Sequence, residues 1–171
     1  RDVASTTKIN RPDLGLMMVA QGEGAGIGRI AALGALKVFG ESLGEALDEK
    51  IANNMKVDSS LEEQTRHVEA LVRADIEAAF EALGDQLKFQ EAALEGVDQI
   101  RVRPAVVKHV EMPDGQNRIF VGSLGDSRVY IHRGGEFEQI SKDDTALQSQ
   151  VDGGFISQDI FDRVDQAVNP A

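Results

Sequence analysis

The sequence predicts an α+β fold in which two long helices pack on an antiparallel β-sheet. Three observations carry this. Residues 14–20, L-G-L-M-M-V-A, form a short continuous apolar run bounded by turn residues, the pattern of a buried strand. Two long stretches, residues 27–51 and 61–91, carry apolar residues at steps of three and four. After Gly96 the period falls to two, and turn residues punctuate the rest of the chain.

The apolar run leads into V-A-Q-G-E-G-A-G-I-G, Val19 to Gly28, four of whose residues between 22 and 28 are glycine. The first helical stretch lines up Ile30, Leu33, Leu36, Phe39, Leu43 and Leu47. Gly34, Gly40 and Gly44 lower its intrinsic propensity, so it needs close packing on a sheet to persist. Ser59 and Ser60 precede L-E-E-Q, which sets Glu63 and Gln64 as capping-box partners at the start of the second helix. Leu61, Val68, Leu71, Val72, Ile76, Phe80, Leu83 and Leu87 make its apolar stripe. Neither helix has the regular heptad of a coiled coil. R-V-R-P-A-V-V-K-H-V-E-M then reads as a strand and P-D-G-Q as a turn. Two more strands, N-R-I-F-V-G-S-L and S-R-V-Y-I-H-R, are split by a tight L-G-D, and R-G-G-E turns into a short strand F-E-Q-I-S. From Lys142 the chain reads as helical or irregular, and no internal repeat is visible.

A chain of 171 residues fits a single domain, residues 1–171, with room for a hydrophobic core. Hydrophobic residues at 42% and charged residues at 27% are ordinary for a soluble globular protein. With 18 basic and 29 acidic residues the formal net charge is −11, which argues against nucleic acid and anionic membrane as partners. The absence of cysteine excludes disulfides, zinc–thiolate sites and thiol catalysis. No apolar run approaches the roughly 18 residues that span a bilayer. The first residues, R-D-V-A-S-T-T-K, lack an apolar signal core and begin without Met, so the expectation is a cytoplasmic, processed or excised chain.

Several chemistries can be weighed residue by residue. The glycine loop matches neither G-x-G-x-x-G nor the G-K-[ST] ending of a P-loop, so by itself it reads as a lead-in to a helix rather than a nucleotide cradle. His67, His109 and His132 share no ligand spacing and read as surface or strand residues. No serine sits in a G-x-S-x-G elbow. Asp143 and Asp144 are adjacent carboxylates that could hold a hard cation, although such pairs are more often solvated or helix-capping.

One combination rises above this background. Residues 118–147, R-I-F-V-G-S-L-G-D-S-R-V-Y-I-H-R-G-G-E-F-E-Q-I-S-K-D-D-T-A-L, resemble the metal-dependent (type 2C, PPM) Ser/Thr protein phosphatase family. Gly125, Asp126, Ser127 and Arg128 match that family's G-D-S-R, and Lys142-Asp143-Asp144-Thr145 stands at its next element. The glycine loop then falls into register with the family's V-A-D-G-M-G-G, with Gln21 at the aspartate and Gly22 at the glycine. Upstream, Arg1-Asp2 takes the place of an E-D pair. The resemblance implies a reduced type 2C phosphatase-like αββα layered sandwich.

The same resemblance implies a binuclear Mg²⁺ or Mn²⁺ site bridged by the aspartate that Gln21 replaces. Hard divalent cations favour anionic oxygen ligands, and a Gln amide offers one neutral oxygen. Of the family's metal set, Asp126 and the Gly22 carbonyl position remain. The family's G-T-T motif is replaced by V-R-P-A-V-V, and the later S-D-G and D-N segments do not occur before N-P-A. The expectation is therefore an impaired or inactive phosphatase-like domain that binds no cofactor, or Mg²⁺ or Mn²⁺ at a residual site. It would act on a phosphoprotein, a kinase or an active phosphatase as a binding partner. The alternative is a Ser/Thr phosphatase completed by ligands from elsewhere. Absent sheet strands would leave edges and apolar face to cover, which points to a homodimer or docking against another domain.

Overall fold

The structure is a computed structural model that describes residues 4–24, 27–55, 58–93 and 100–142. The chain divides into two compact units, residues 1–122 and 123–171.

In the first unit, strand β1 (Ser5–Arg11) is followed by a single 3-10 turn, Pro12–Leu14, and strand β2 (Leu16–Glu23). Helices α1 (Gly28–Leu43), α2 (Glu45–Asn54) and α3 (Leu61–Ala93) come next, then strands β3 (Arg101–Glu111) and β4 (Asn117–Ser123). The four strands form one sheet in the order β1-β2-β3-β4. The β1–β2 and β2–β3 pairs are antiparallel, with Thr6 opposite Gln21 and Gln21 opposite Arg103.

Strand β2 alternates strictly. Leu16, Met18 and Ala20 are buried, while Met17 and Val19 face the other way and are exposed. On β3, Val102, Val106 and Val110 are buried on the helical side. Strand β1 is too polar to stand out in the sequence. S-T-T-K-I-N-R is an edge strand whose order comes from pairing with β2, and its exposed Lys8 and Arg11 discourage further pairing. At its end Arg11 makes two hydrogen bonds to Asp13, 3.0 and 2.7 Å, and hydrogen bonding to this guanidinium holds the Asp13 carboxyl below its ordinary pKa.

The first helical stretch, expected as one helix, is two. The chain breaks at Gly44 (φ −86°, ψ −128°), where a side chain would press on the Gly40 carbonyl and on Leu14. The buried face of α1 also differs from the expected stripe. Ala31, Ala32, Ala35, Leu36, Phe39 and Leu43 are buried, whereas Ile30 is 63% and Leu33 46% exposed. The reason is distance: small side chains let the start of α1 lie directly against β2, so the large residues there point outward. Phe39 is fully buried and packs against Phe80 of α3 with the rings tilted by 51° and their centres 4.9 Å apart. Burying a side chain of that size stabilises by roughly 1.5–3 kcal/mol.

Helix α3 follows its expected face, with Val68, Val72, Ile76 and Leu83 buried and Leu71, Phe80 and Leu87 packed against them. Leu61, counted in the stripe, is 56% exposed in the first turn. The capping box forms with Ser60 and Glu63: the Glu63 N–H donates to Ser60 Oγ and the Ser60 N–H to Glu63 Oε2, both at 3.2 Å. Gln64 lies outside the box and donates to the Ser59 carbonyl. Caps of this kind contribute about 1 kcal/mol.

In the second unit, strands β5 (Tyr130–Arg133) and β6 (Glu136–Gln139) pair antiparallel as a hairpin. Its two-residue loop is Gly134-Gly135, both at positive φ, as a tight primed turn requires. Strand β5 begins three residues later than S-R-V-Y-I-H-R suggested. Val129 is taken up in the bonds that close the hairpin base, accepting from Ile140 and donating to Ser141 Oγ.

Candidate functional site

Strand β2 ends at the loop that the sequence singles out. Gly22 is buried, and its backbone lies against that of Gly28, the first residue of α1. A Cβ on Gly22 would collide with the Gly28 carbonyl oxygen, and one on Gly28 would meet the Gly22 carbonyl oxygen at 2.6 Å. Both glycines therefore serve a backbone-to-backbone crossing of strand and helix. Gly24, at φ 135°, makes the turn between them and accepts hydrogen bonds from Ile27 and Gly28.

Gln21 is half-buried and projects to the sheet face opposite the helices, since its neighbours Ala20 and Gly22 are buried toward them. Antiparallel pairing places Arg103 of β3 directly across from it and Arg101 across from Glu23. Residues facing each other across two strands share a face, with Cβ atoms about 5 Å apart. Arg103 leans along that face to Glu23, with Nη1 to Oε1 at 2.5 Å and Nη2 to Oε2 at 3.4 Å, both side chains 29% exposed. The local set is thus a neutral amide, a carboxylate bound to a guanidinium, and a second arginine beside them. It does not suit a pair of divalent cations, which need converging anionic oxygens. Among the described residues no group of three or more His, Asp or Glu is placed to hold a metal ion.

The G-D-S-R residues belong to the second unit. Gly125 and Asp126 form a turn after β4, Gly125 at φ 73°, and Asp126 is exposed. Ser127 and Arg128 are half-buried. Asp143, Asp144, Arg1 and Asp2 lie outside the described residues. His67, His109 and His132 are exposed, and His132 stacks on Phe137 within the hairpin at 4.6 Å.

Sequence reasoning missed Arg103, Glu23 and Lys108. Arg101 and Arg103 alternate around Val102, which marks them as outward residues of a strand. That β2 is the partner strand, and in which register, is not local information. Away from this end of the sheet, a depression of about 470 Å³ lies at the start of α3, lined by Leu61, Thr65, Arg66, Glu69, Asp114 and Arg118. Arg118 closes part of it by bonding Glu69 at 2.7 Å and Asp114 at 3.2 Å.

No family model matches the chain, and no curated protein matches it. Among solved structures it is similar to the catalytic domain of the serine/threonine protein phosphatase PstP in complex with two manganese ions, at 24% identity and a TM-score of 0.46. That match covers 94% of this chain and 63% of the other. It is also similar to the Mycobacterium tuberculosis serine/threonine phosphatase PstP/Ppp, at 24% identity, TM-score 0.47 and coverages of 94% and 61%. A third likeness is to the PPM Ser-Thr phosphatase MsPP from Mycobacterium smegmatis in complex with cacodylate, at 22% identity, TM-score 0.46 and coverages of 92% and 60%. The chain thus spans about three fifths of the length of these structures. At this identity and TM-score the likeness assigns neither a site nor an activity. No helix among the described residues is long and apolar enough to cross a membrane.

Proposed function

We propose that residues 1–171 are a type 2C phosphatase-like domain without metal-dependent hydrolytic activity of its own, which acts by binding protein. The class of partner is a phosphoprotein, a kinase or an active phosphatase. The reading rests on the motif resemblance, and one observation carries its inactive character. Gln21 stands at the end of β2, next to the Gly22–Gly28 crossing, and offers a neutral amide where the resemblance asks for a bridging carboxylate. Two-metal hydrolysis needs that charge to hold both cations and their nucleophilic water. The purified chain is expected to release no phosphate from a phosphopeptide or an aryl phosphate above background in the presence of Mn²⁺. Mn²⁺-dependent turnover would overturn the proposal. It would favour the second reading, a Ser/Thr phosphatase with ligands supplied from elsewhere, which the Gly125-Asp126-Ser127-Arg128 sequence match supports.

The domain is further proposed to form a homodimer. Met17 (51% exposed), Val19 (38%) and Ile119 (50%) lie on the sheet face turned away from α1 and α3, and exposed apolar groups of this kind favour association. Light scattering is expected to give twice the chain mass. A monomer at high protein concentration would remove this part of the proposal.

A further inference from the structure

We infer that Arg103, held by Glu23 across from Gln21, is a fixed cation that takes the place of a divalent metal at the end of β2 and β3. Loss of metal binding is then a property of two positions rather than of Gln21 alone. The inference rests on the phosphatase-like reading for the position of the metal, and it goes beyond that reading in assigning a role to Arg103.

Three features of the structure carry it. Arg103 is the direct cross-strand neighbour of Gln21, so its side chain leaves the backbone on the same face and within side-chain reach. Its guanidinium is anchored by two hydrogen bonds from Nη1 and Nη2 to the two carboxylate oxygens of Glu23, the geometry that fixes an arginine most firmly. Glu23 lies on the same face as Gln21, two residues along β2, and is the nearest carboxylate on that strand that could serve a metal; Arg103 engages it. A guanidinium cannot lose its charge in a protein. It therefore repels a dication at this end of the sheet, and it occupies a potential ligand while doing so.

The consequence is specific. A carboxylate introduced by Gln21→Asp meets Arg103 before it meets a metal, and it forms a cross-strand ion pair. Removing the guanidinium as well releases Glu23 from that ion pair and leaves two carboxylates on one face, with Arg101 across from Glu23 as the remaining cation.

The test compares the unaltered chain with Gln21→Asp, Arg103→Thr and the double variant, using Mn²⁺ alone as the probe. Calorimetry is expected to show the double variant binding at least about tenfold more tightly than Gln21→Asp, the repulsion expected of a unit charge a few ångströms from a dication. Urea denaturation of the four proteins supplies a readout free of metal. Gln21→Asp is expected to be more stable with Arg103 present than with Thr in its place, a favourable coupling in the double-mutant cycle. Circular dichroism establishes that each variant is folded, and the coupling is measured on the folded set. Binding by Gln21→Asp as tight as that of the double variant would overturn the inference, and so would the absence of coupling. Mn²⁺-dependent hydrolysis by the unaltered chain bears instead on the proposed function.

Discussion

Gly22→Ala is expected to prevent the chain from folding stably. The substitution adds one methyl group, and its position at the strand–helix crossing sets the cost. The new Cβ would overlap the carbonyl oxygen of Gly28 and press on the Ala32 Cβ. Neither can turn aside as the tip of a flexible side chain would. Gly28 is the first residue of α1 and Ala32 is fully buried in the core. Relief therefore requires the start of α1 to lift from the sheet, and Ala31, Ala35 and Leu36 would lose contact with it. Inserting a methyl group into a packed core costs about 1–3 kcal/mol, and a clash between two backbones belongs beyond that range. The total stability of such a domain is about 5–15 kcal/mol. Urea denaturation is expected to show a loss of more than about 3 kcal/mol, or no cooperative transition. Wild-type stability in Gly22→Ala would mean that the crossing is looser than described. Gly28→Ala probes the same crossing from the other side, where the closest approach is 2.6 Å.

Asp48→Asn is expected to cost more stability than Lys108→Met, although the lysine is the more deeply buried residue. Lys108 lies on the helical side of β3 and is 1% exposed. Its ammonium donates to Asp48 Oδ1 of α2 at 2.6 Å and to the Leu14 carbonyl at 2.7 Å. One side chain thus joins the central strand, the 3-10 turn and the second helix. Asp48→Asn keeps the shape and an acceptor oxygen but leaves a buried cation with neutral partners only and no countercharge. Breaking a buried pair from one side costs about 3–5 kcal/mol, and Asp48 is 44% exposed, so water offsets part of this and about 2 kcal/mol is expected. Lys108→Met removes the charge together with its need for a partner and keeps most of the volume. The Asp48 carboxylate left behind is 44% exposed and is solvated by water, so a loss below about 1.5 kcal/mol is expected. Equal losses in the two variants, measured by denaturation, would show that Lys108 acts mainly through its packing.

The contrast between these two sites shows where the sequence was readable. The helix from Leu61 with its Ser60–Glu63 cap, the Gly134-Gly135 hairpin and the existence of a strand within L-G-L-M-M-V-A all follow from signals within a few residues. That strand, however, starts at Leu16 and is buried on one face only, with Met17 and Val19 exposed. Period, capping chemistry and positive φ act locally, and the chain obeys them. The glycine loop was legible as a strand-to-helix turn, but the buried face of α1 was not. Ile30 and Leu33 outrank alanine on any hydrophobic scale, and only the Gly22–Gly28 approach shows why alanines face the sheet. The break at Gly44 was hidden in the same way, since three glycines in that stretch looked alike. Lys108 reads as a polar residue in an apolar strand until α2 brings Asp48 to it. Gln21 was singled out from its motif alone, whereas Arg103 required the register of a strand far along the chain.

That register also shapes how the molecule can assemble. Leu16 pairs with Lys108 and Glu23 with Arg101, so every contact between β2 and β3 encloses all three helices. The central pair of the sheet can close only after the intervening chain has been gathered, and contacts this distant in sequence slow folding. Helix α3, with 33 residues and its own cap, is the segment best able to form early, while α1 must await the strand it rests on. A chain released before β3 is made holds β2 with one open edge, and the segment most exposed in that interval is the apolar L-M-M-V-A.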